Sequence, residues 1–225
     1  MSISASDALA IVSRAYSSPA WLAPALVALA QTEAPGIGEG INAYAVGDKR
    51  TSFGAWQVHS IDWPAIADRV QASYTLGELD ALTAQAEAIR PIVADALAEL
   101  ATVPSWSDRD RASGLHAVWQ LGAPGFRRVL HAASSASWYR PDLEVAAVAD
   151  LYGGYFGQLV RERADRYLKF MERIAGDALW WGNTAAGGSI LIVVILAALA
   201  LGTERGRRTT WASLRAGATA AKVLL

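Results

Sequence analysis

Residues 20–33 are AWLAPALVALAQTE and residues 47–58 are GDKRTSFGAWQV, and the expected architecture follows from these two stretches. From Ala20 to Ala30 no residue is charged or polar. Counting back from Glu33 in steps of four, three and four reaches Leu29, Leu26 and Leu22, one face of a helix. The pattern predicts a helix whose only carboxylate sits on its apolar stripe. Such surroundings disfavour the anion, so the proton affinity of Glu33 is expected to rise. A carboxylic acid kept protonated near neutral pH is what general-acid cleavage of a glycosidic bond requires. The competing reading is a helix-terminal glutamate turned to water past the last buried turn.

The residues after Glu33 favour the acid. Pro35, Gly36, Gly38 and Gly40 stop the helix and open a loop. Residues 44–46 and 51–53 then flank Gly47-Asp48-Lys49-Arg50, the pattern of one small β-hairpin that would bring Asp48 back opposite Glu33. Gly54 offers a place where a backbone or a sugar ring approaches closely. Gln57 offers a donor and an acceptor to a polar substrate, at what reads as the entry to the next helix. An acid on a helix end, an acid on a hairpin and a Gly-x-x-Gln together suggest a saccharide cleft.

At Glu33, Gly47-Asp48 and residues 52–58 the chain resembles the goose-type lysozyme and soluble lytic transglycosylase group. Those enzymes cut the β-1,4 bond between N-acetylmuramic acid and N-acetylglucosamine in peptidoglycan. The family pattern is Glu-Ser, then a glycine-rich turn ending in Gly-Leu-Met-Gln; here Ala34 replaces the Ser and residues 54–57 read GAWQ. The Gly47-Asp48 pair and its spacing to Gly54 look most like the goose-type branch and its phage-encoded relatives. That branch often carries an acid two positions after the Gln, where this chain has His59. A second patch, residues 117–125 (AVWQLGAPG), resembles the transglycosylase Ala-Tyr-Asn-x-Gly-x-Gly segment bordering the saccharide subsites, with Trp119 for Tyr and Gln120 for Asn. The resemblance covers roughly residues 20–170. It implies catalytic Glu33 and Asp48 and substrate-binding Ser52, Gly54, Gln57, His59, Trp119 and Gln120.

Composition bounds the alternatives. A chain of 225 residues allows one ordinary domain plus appendages, and Ala/Leu richness favours helices. The net charge of −1 gives no case for a nucleic-acid partner. Cysteine is absent and His59, His116 and His131 lack metal-ligand spacing, so neither a metal nor a cofactor is expected. The N-terminus lacks the basic start and apolar core of a secretory signal and reads as a short amphipathic helix capped by Ser4 or Ser6. A helix is expected over residues 61–70, and capping boxes at Thr75–Glu78 and Ser107–Asp110 open further helices, the first broken near Pro91. The second of these runs into Trp119-Gln120, and a last one extends from near Pro141 to Ile174, bent at Gly153-Gly154. The fold class is thus mainly α, an α+β lysozyme-like helical domain with one hairpin.

The sequence changes character after Asp177. No residue from Ala178 to Thr203 is charged, which is long enough to cross a hydrocarbon core of about 30 Å. Trp180 and Trp181 stand at one end and Arg205, Arg207 and Arg208 beyond the other. The expected organisation is a peptidoglycan-cleaving domain over 1–175, a transmembrane helix over 178–203 and a short basic tail over 204–225. A membrane-anchored glycosidase would take glycan strands as substrate and a lipid bilayer as partner through 178–203. A phage setting would add a virion or host-envelope location and other virion proteins as partners. The other classes are a lytic transglycosylase giving anhydro-muramic products, a wall-binding module without catalysis, and a structural membrane protein.

Overall fold

A computed structural model describes residues 2–104, 106–132 and 162–174 of the chain. These residues form seven α-helices and a small antiparallel sheet. The helices are α1 (Ala5–Ala15), α2 (Leu22–Glu33), α3 (Pro64–Ala72), α4 (Glu78–Ala88), α5 (Arg90–Ala101), α6 (Asp108–Ala132) and α7 (residues 162–174). The strands are β1 (Val46–Gly47), β2 (Ser52–Phe53) and β3 (Val58–His59).

The apolar run of residues 20–30 explains the core of the described residues. A helix apolar on every side must be enclosed on every side. Helix α2 is buried from Leu22 to Thr32 apart from Pro24, with α1 and α6 packed against it. The stripe of Leu22, Leu26 and Leu29 is fully buried, and so are the alanines and Val27 between its members. The indole of Trp56 lies in the same core and donates to the Leu26 carbonyl at 2.9 Å.

Local chemistry sets the helix ends. Ser4 caps α1 by accepting the Asp7 N–H at 3.1 Å. At α6 the reciprocal box forms: Ser107 N–H donates to Asp110 Oδ2 at 2.9 Å and Asp110 N–H to Ser107 Oγ at 3.2 Å. Pro91 falls in the first turn of α5 and so separates α4 from it. The box expected at Thr75–Glu78 does not form. Gly77 is the N-cap of α4, and the Thr75 hydroxyl donates back to the Ala72 carbonyl. Helix α3 begins at Pro64 rather than at Ile61, because a residue before proline is held out of the helical region; Trp63 has φ −134° and ψ 59°.

The expected hairpin is the first half of a larger unit. Strands β1 and β2 pair Val46 with Phe53 and Gly47 with Ser52, as the spelling of residues 44–53 suggests. A third strand then pairs Ser52 with His59 and Phe53 with Val58. Residues Gly54 to Gln57 form the turn between β2 and β3 and do not lead directly into a helix. Gly54 (φ +79°) and Gln57 (φ +47°) take left-handed backbone there, and the Gly54 carbonyl accepts the Gln57 N–H at 3.2 Å.

Helix α6 carries a sharp break at Gly122 (φ +63°), followed by Pro124. Its face at His116 and Gln120 meets α7, where Tyr167 stacks on the His116 ring with centroids 5.1 Å apart. Among the described residues no helix is long and apolar enough to cross a membrane. The expected span over 178–203, the tail over 204–225 and the start and bend of the last helix near Pro141 and Gly153 lie outside the described residues.

Candidate functional site

Glu33 is the last residue of α2, and its side chain is only 4 % exposed. Burial follows from the helix: with every turn before it enclosed, the final side chain emerges between α6 and α7 and not into solvent. Gln120 of α6 donates from Nε2 to Glu33 Oε1 at 2.5 Å. Arg163 of α7 places Nη1 3.2 Å from Gln120 Oε1 and 3.5 Å from Glu33 Oε2. The three side chains form a closed triangle drawn from three helices.

Two opposing influences act on the carboxyl. Burial raises its pKa above 4.5; the Arg163 guanidinium works against this, as do His116 and the more distant Arg166, while Asp48 adds to the rise. The C-terminal end of α2, with its partial negative charge, pushes the same way as burial. Removal from water outweighs the cations, so the net direction is upward. Glu33 therefore holds its proton to higher pH than an ordinary glutamate and keeps a cation within reach of the anion formed when the proton leaves.

Asp48 lies at the tip of the β1–β2 hairpin, exposed, with its Oδ2 accepting the Ser52 hydroxyl at 2.8 Å. Asp48, Lys49 and Arg50 all have positive φ (46°, 57° and 73°), a left-handed run that costs non-glycine residues roughly 1–2 kcal/mol each. Such strain persists only where surrounding structure holds it; here the Gly47 carbonyl accepts from both Arg50 and Thr51 N–H.

The other residues singled out from the sequence divide into two groups. Ser52 and Gly54 are buried. The Ser52 hydroxyl serves Asp48, and the α-carbon of Gly54 faces Val70 and Gln85, where an added Cβ would stand 2.5 and 2.7 Å from their atoms. The close approach at Gly54 is thus to helices α3 and α4, and these two residues act as supports for the sheet. Gln57, His59, Trp119 and Gln120 instead line a groove of about 740 Å³. Trp63, Asp62, Asp95 and the Gly122–Pro124 break complete much of its wall. Glu33 itself is not a wall residue; Gln120 is the side chain that both lines the groove and holds Glu33. Gln57 is fixed by donation from Nε2 to the Gly54 carbonyl at 2.9 Å, and Trp119 by donation from Nε1 to the Trp56 carbonyl at 3.2 Å. His59 Nδ1 lies 3.0 Å from Asp62 Oδ2.

Three contributors were not singled out as site residues in the sequence. Arg163 stands among other cations of the 161–173 segment, where its spelling gives no sign of a buried partner. The signal that exists is geometric: His116 and Gln120 are four apart on α6, Arg163 and Tyr167 four apart on α7, and the two pairs meet in antiparallel order. Asp62 is found only through the turn after β3 that sets it beside His59. Gln85 of α4, fully buried, accepts the Ala55 N–H and donates to the Ala43 carbonyl and the Ser73 hydroxyl, and so ties the sheet turn to the helices. Among the described residues no group of three or more His, Asp and Glu side chains is placed to hold a metal ion.

Compared with protein-family models, curated proteins and solved structures, the chain matches none.

Proposed function

We propose that the protein is a peptidoglycan glycosidase that cleaves the β-1,4 bond between N-acetylmuramic acid and N-acetylglucosamine, with Glu33 as general acid. One observation carries this reading: a nearly buried carboxyl with raised proton affinity is held by a side chain that also walls a groove large enough for sugar rings. Trp63 and Trp119 in that wall are suited to stacking on saccharide faces, and Gln57 and Gln120 to meeting hydroxyl and acetamido groups. The two stretches whose spelling resembles the lysozyme and transglycosylase group, around Glu33 and around Gln120, touch across 87 residues of chain. In this reading protonated Glu33 donates to the glycosidic oxygen, and Arg163 and Gln120 receive the carboxylate. Asp48 on its hairpin directs water to the anomeric carbon, which makes the reaction hydrolytic. The uncharged segment 178–203 anchors the enzyme in a bilayer, a setting that suits local opening of a cell wall by a phage particle.

The test is turbidity loss of purified cell walls with wild type and Glu33→Gln, both checked for folding by circular dichroism. The variant keeps shape and the Gln120 contact but has no transferable proton, so activity should fall by ~10²–10⁴-fold. Equal activity in the two proteins removes Glu33 from the chemistry. A wild type inert on walls of every composition leaves a binding role for the groove.

A further inference from the structure

The charged groups facing Glu33 come from three elements. Helix α7 supplies Arg163 and, farther off, Arg166; α6 supplies His116 beside the neutral Gln120; the β1–β2 hairpin supplies Asp48. Of these cations, Arg163 is the one placed within 3.5 Å of the carboxyl. It also makes the shorter contact to Gln120, and there the chemistry is one-sided. A guanidinium can only donate, so the Gln120 atom facing it must be the carbonyl oxygen. The amide nitrogen is then turned toward Glu33, as its 2.5 Å contact requires. Arg163 thus holds the amide from its carbonyl side while Glu33 meets its N–H side.

We propose that Arg163 is a positioning residue of the site: it orients the Gln120 amide so that its N–H meets Glu33, and it supplies the cation that receives the carboxylate once the proton has gone. The 3.5 Å distance to Oε2 suits the second task. It is too long for a strong bond to the neutral acid, and short enough to tighten when the charge appears. Burial alone would give an acid that keeps its proton but parts with it reluctantly, and Arg163 corrects that.

The proposal rests on the glycosidase reading only for its rate measurement. Its direct test is the titration of Glu33 in the full-length chain, followed by carbon NMR of labelled glutamate carboxyls, with Glu33→Gln identifying the resonance. Arg163→Gln removes the cation, so the Glu33 midpoint should move up by about one pH unit or more. Arg163→Lys keeps the charge but not the fork, and the midpoint should stay closer to wild type. If Arg163→Gln does not fold, Arg163→Met, which retains the aliphatic stem, takes its place. On peptidoglycan the alkaline limb of the rate profile should move up with the midpoint while kcat falls. A neutral variant that folds and leaves the Glu33 midpoint in place overturns the proposal, because an arginine that merely glues α7 to α6 would alter stability and not titration. An inactive wild type with the NMR shift present defeats the glycosidase reading and leaves the role of Arg163 standing.

Discussion

Gln120 Nε2 donates to Glu33 Oε1 at 2.5 Å, joining the break region of α6 to the end of the central helix. The contact does two things at once. It satisfies a carboxyl that α2 has carried out of water, and it ties that carboxyl to the wall of the groove. Replacing Gln120 by Leu keeps most of the volume and removes both amide contacts, leaving Glu33 and Arg163 without the group between them. The expected result is a folded protein with kcat/KM on peptidoglycan reduced about 10–100-fold, the scale of a hydrogen bond to a charged group. Retention of full activity would show that Glu33 needs no partner on α6.

Glu33 also makes stability depend on pH, with a definite sign. Its pKa in the fold lies above 4.5, so over the interval between that value and the folded one the native state binds more protons than the unfolded chain. Stability contributed by the neutral acid is then fully present below 4.5 and is lost as pH rises through the folded value. Glu33→Gln has no such loss. Relative to wild type the variant should gain stability as pH rises from 4.5 through the folded value. Thermal melts of both proteins across that range measure it. Parallel pH curves would mean that Glu33 is solvated.

The turn between β2 and β3 should be the most sensitive backbone position in the sheet. At Gly54 φ is +79°, and a methyl group would stand 2.5 Å from Val70 Cγ1 and 2.7 Å from the Gln85 amide oxygen. Gln85 cannot retreat without releasing the Ala55 N–H, the Ala43 carbonyl and the Ser73 hydroxyl. Gly54→Ala therefore combines backbone strain with overpacking and should cost about 2–4 kcal/mol in urea unfolding. A cost below ~1 kcal/mol would place the turn away from α4.

The sequence carried some of this clearly and some of it hardly at all. The burial of Glu33 was legible because Leu22, Leu26 and Leu29 share its helical face, and periodicity reports which side chains point together. The caps at Ser4 and Ser107 were legible because each rests on a contact three residues away. The expected capping box at Thr75 failed through a competitor the spelling does not rank, the carbonyl of Ala72. The third strand was missed because two residues, Val58 and His59, are too short for any alternation to show. Arg163 was beyond reach for a different reason: its partners are 43 and 130 residues away, and nothing local distinguishes it from its charged neighbours. At Gly54 the close approach was legible, while the side chains that make it, Val70 and Gln85, stand too far along the chain for local spelling to name them.

In the proposed glycosidase reading Asp48 is the residue on which hydrolysis or transglycosylation turns, and its surroundings make that measurable. The left-handed run at Asp48–Arg50 holds its carboxylate out at the hairpin tip, and the Ser52 hydroxyl fixes one oxygen at 2.8 Å. Asp48→Asn preserves that contact, since the amide oxygen still accepts from Ser52, and removes only the charge. If Asp48 activates water, hydrolysis should fall by ~10²–10⁴-fold while Glu33 keeps its proton-donating role. A second effect follows from electrostatics. Asp48 raises the proton affinity of Glu33, so its neutralisation should lower the Glu33 midpoint and draw the alkaline limb of any residual activity to lower pH. Mass spectrometry of digested walls separates the outcomes. Reducing-end muropeptides from wild type, lost in Asp48→Asn, fit a hydrolase with Asp48 as base. Dominant anhydro-muropeptides from wild type, with the rate unchanged in the variant, would mean that the muramic hydroxyl itself attacks and that Asp48 only shapes the field around Glu33.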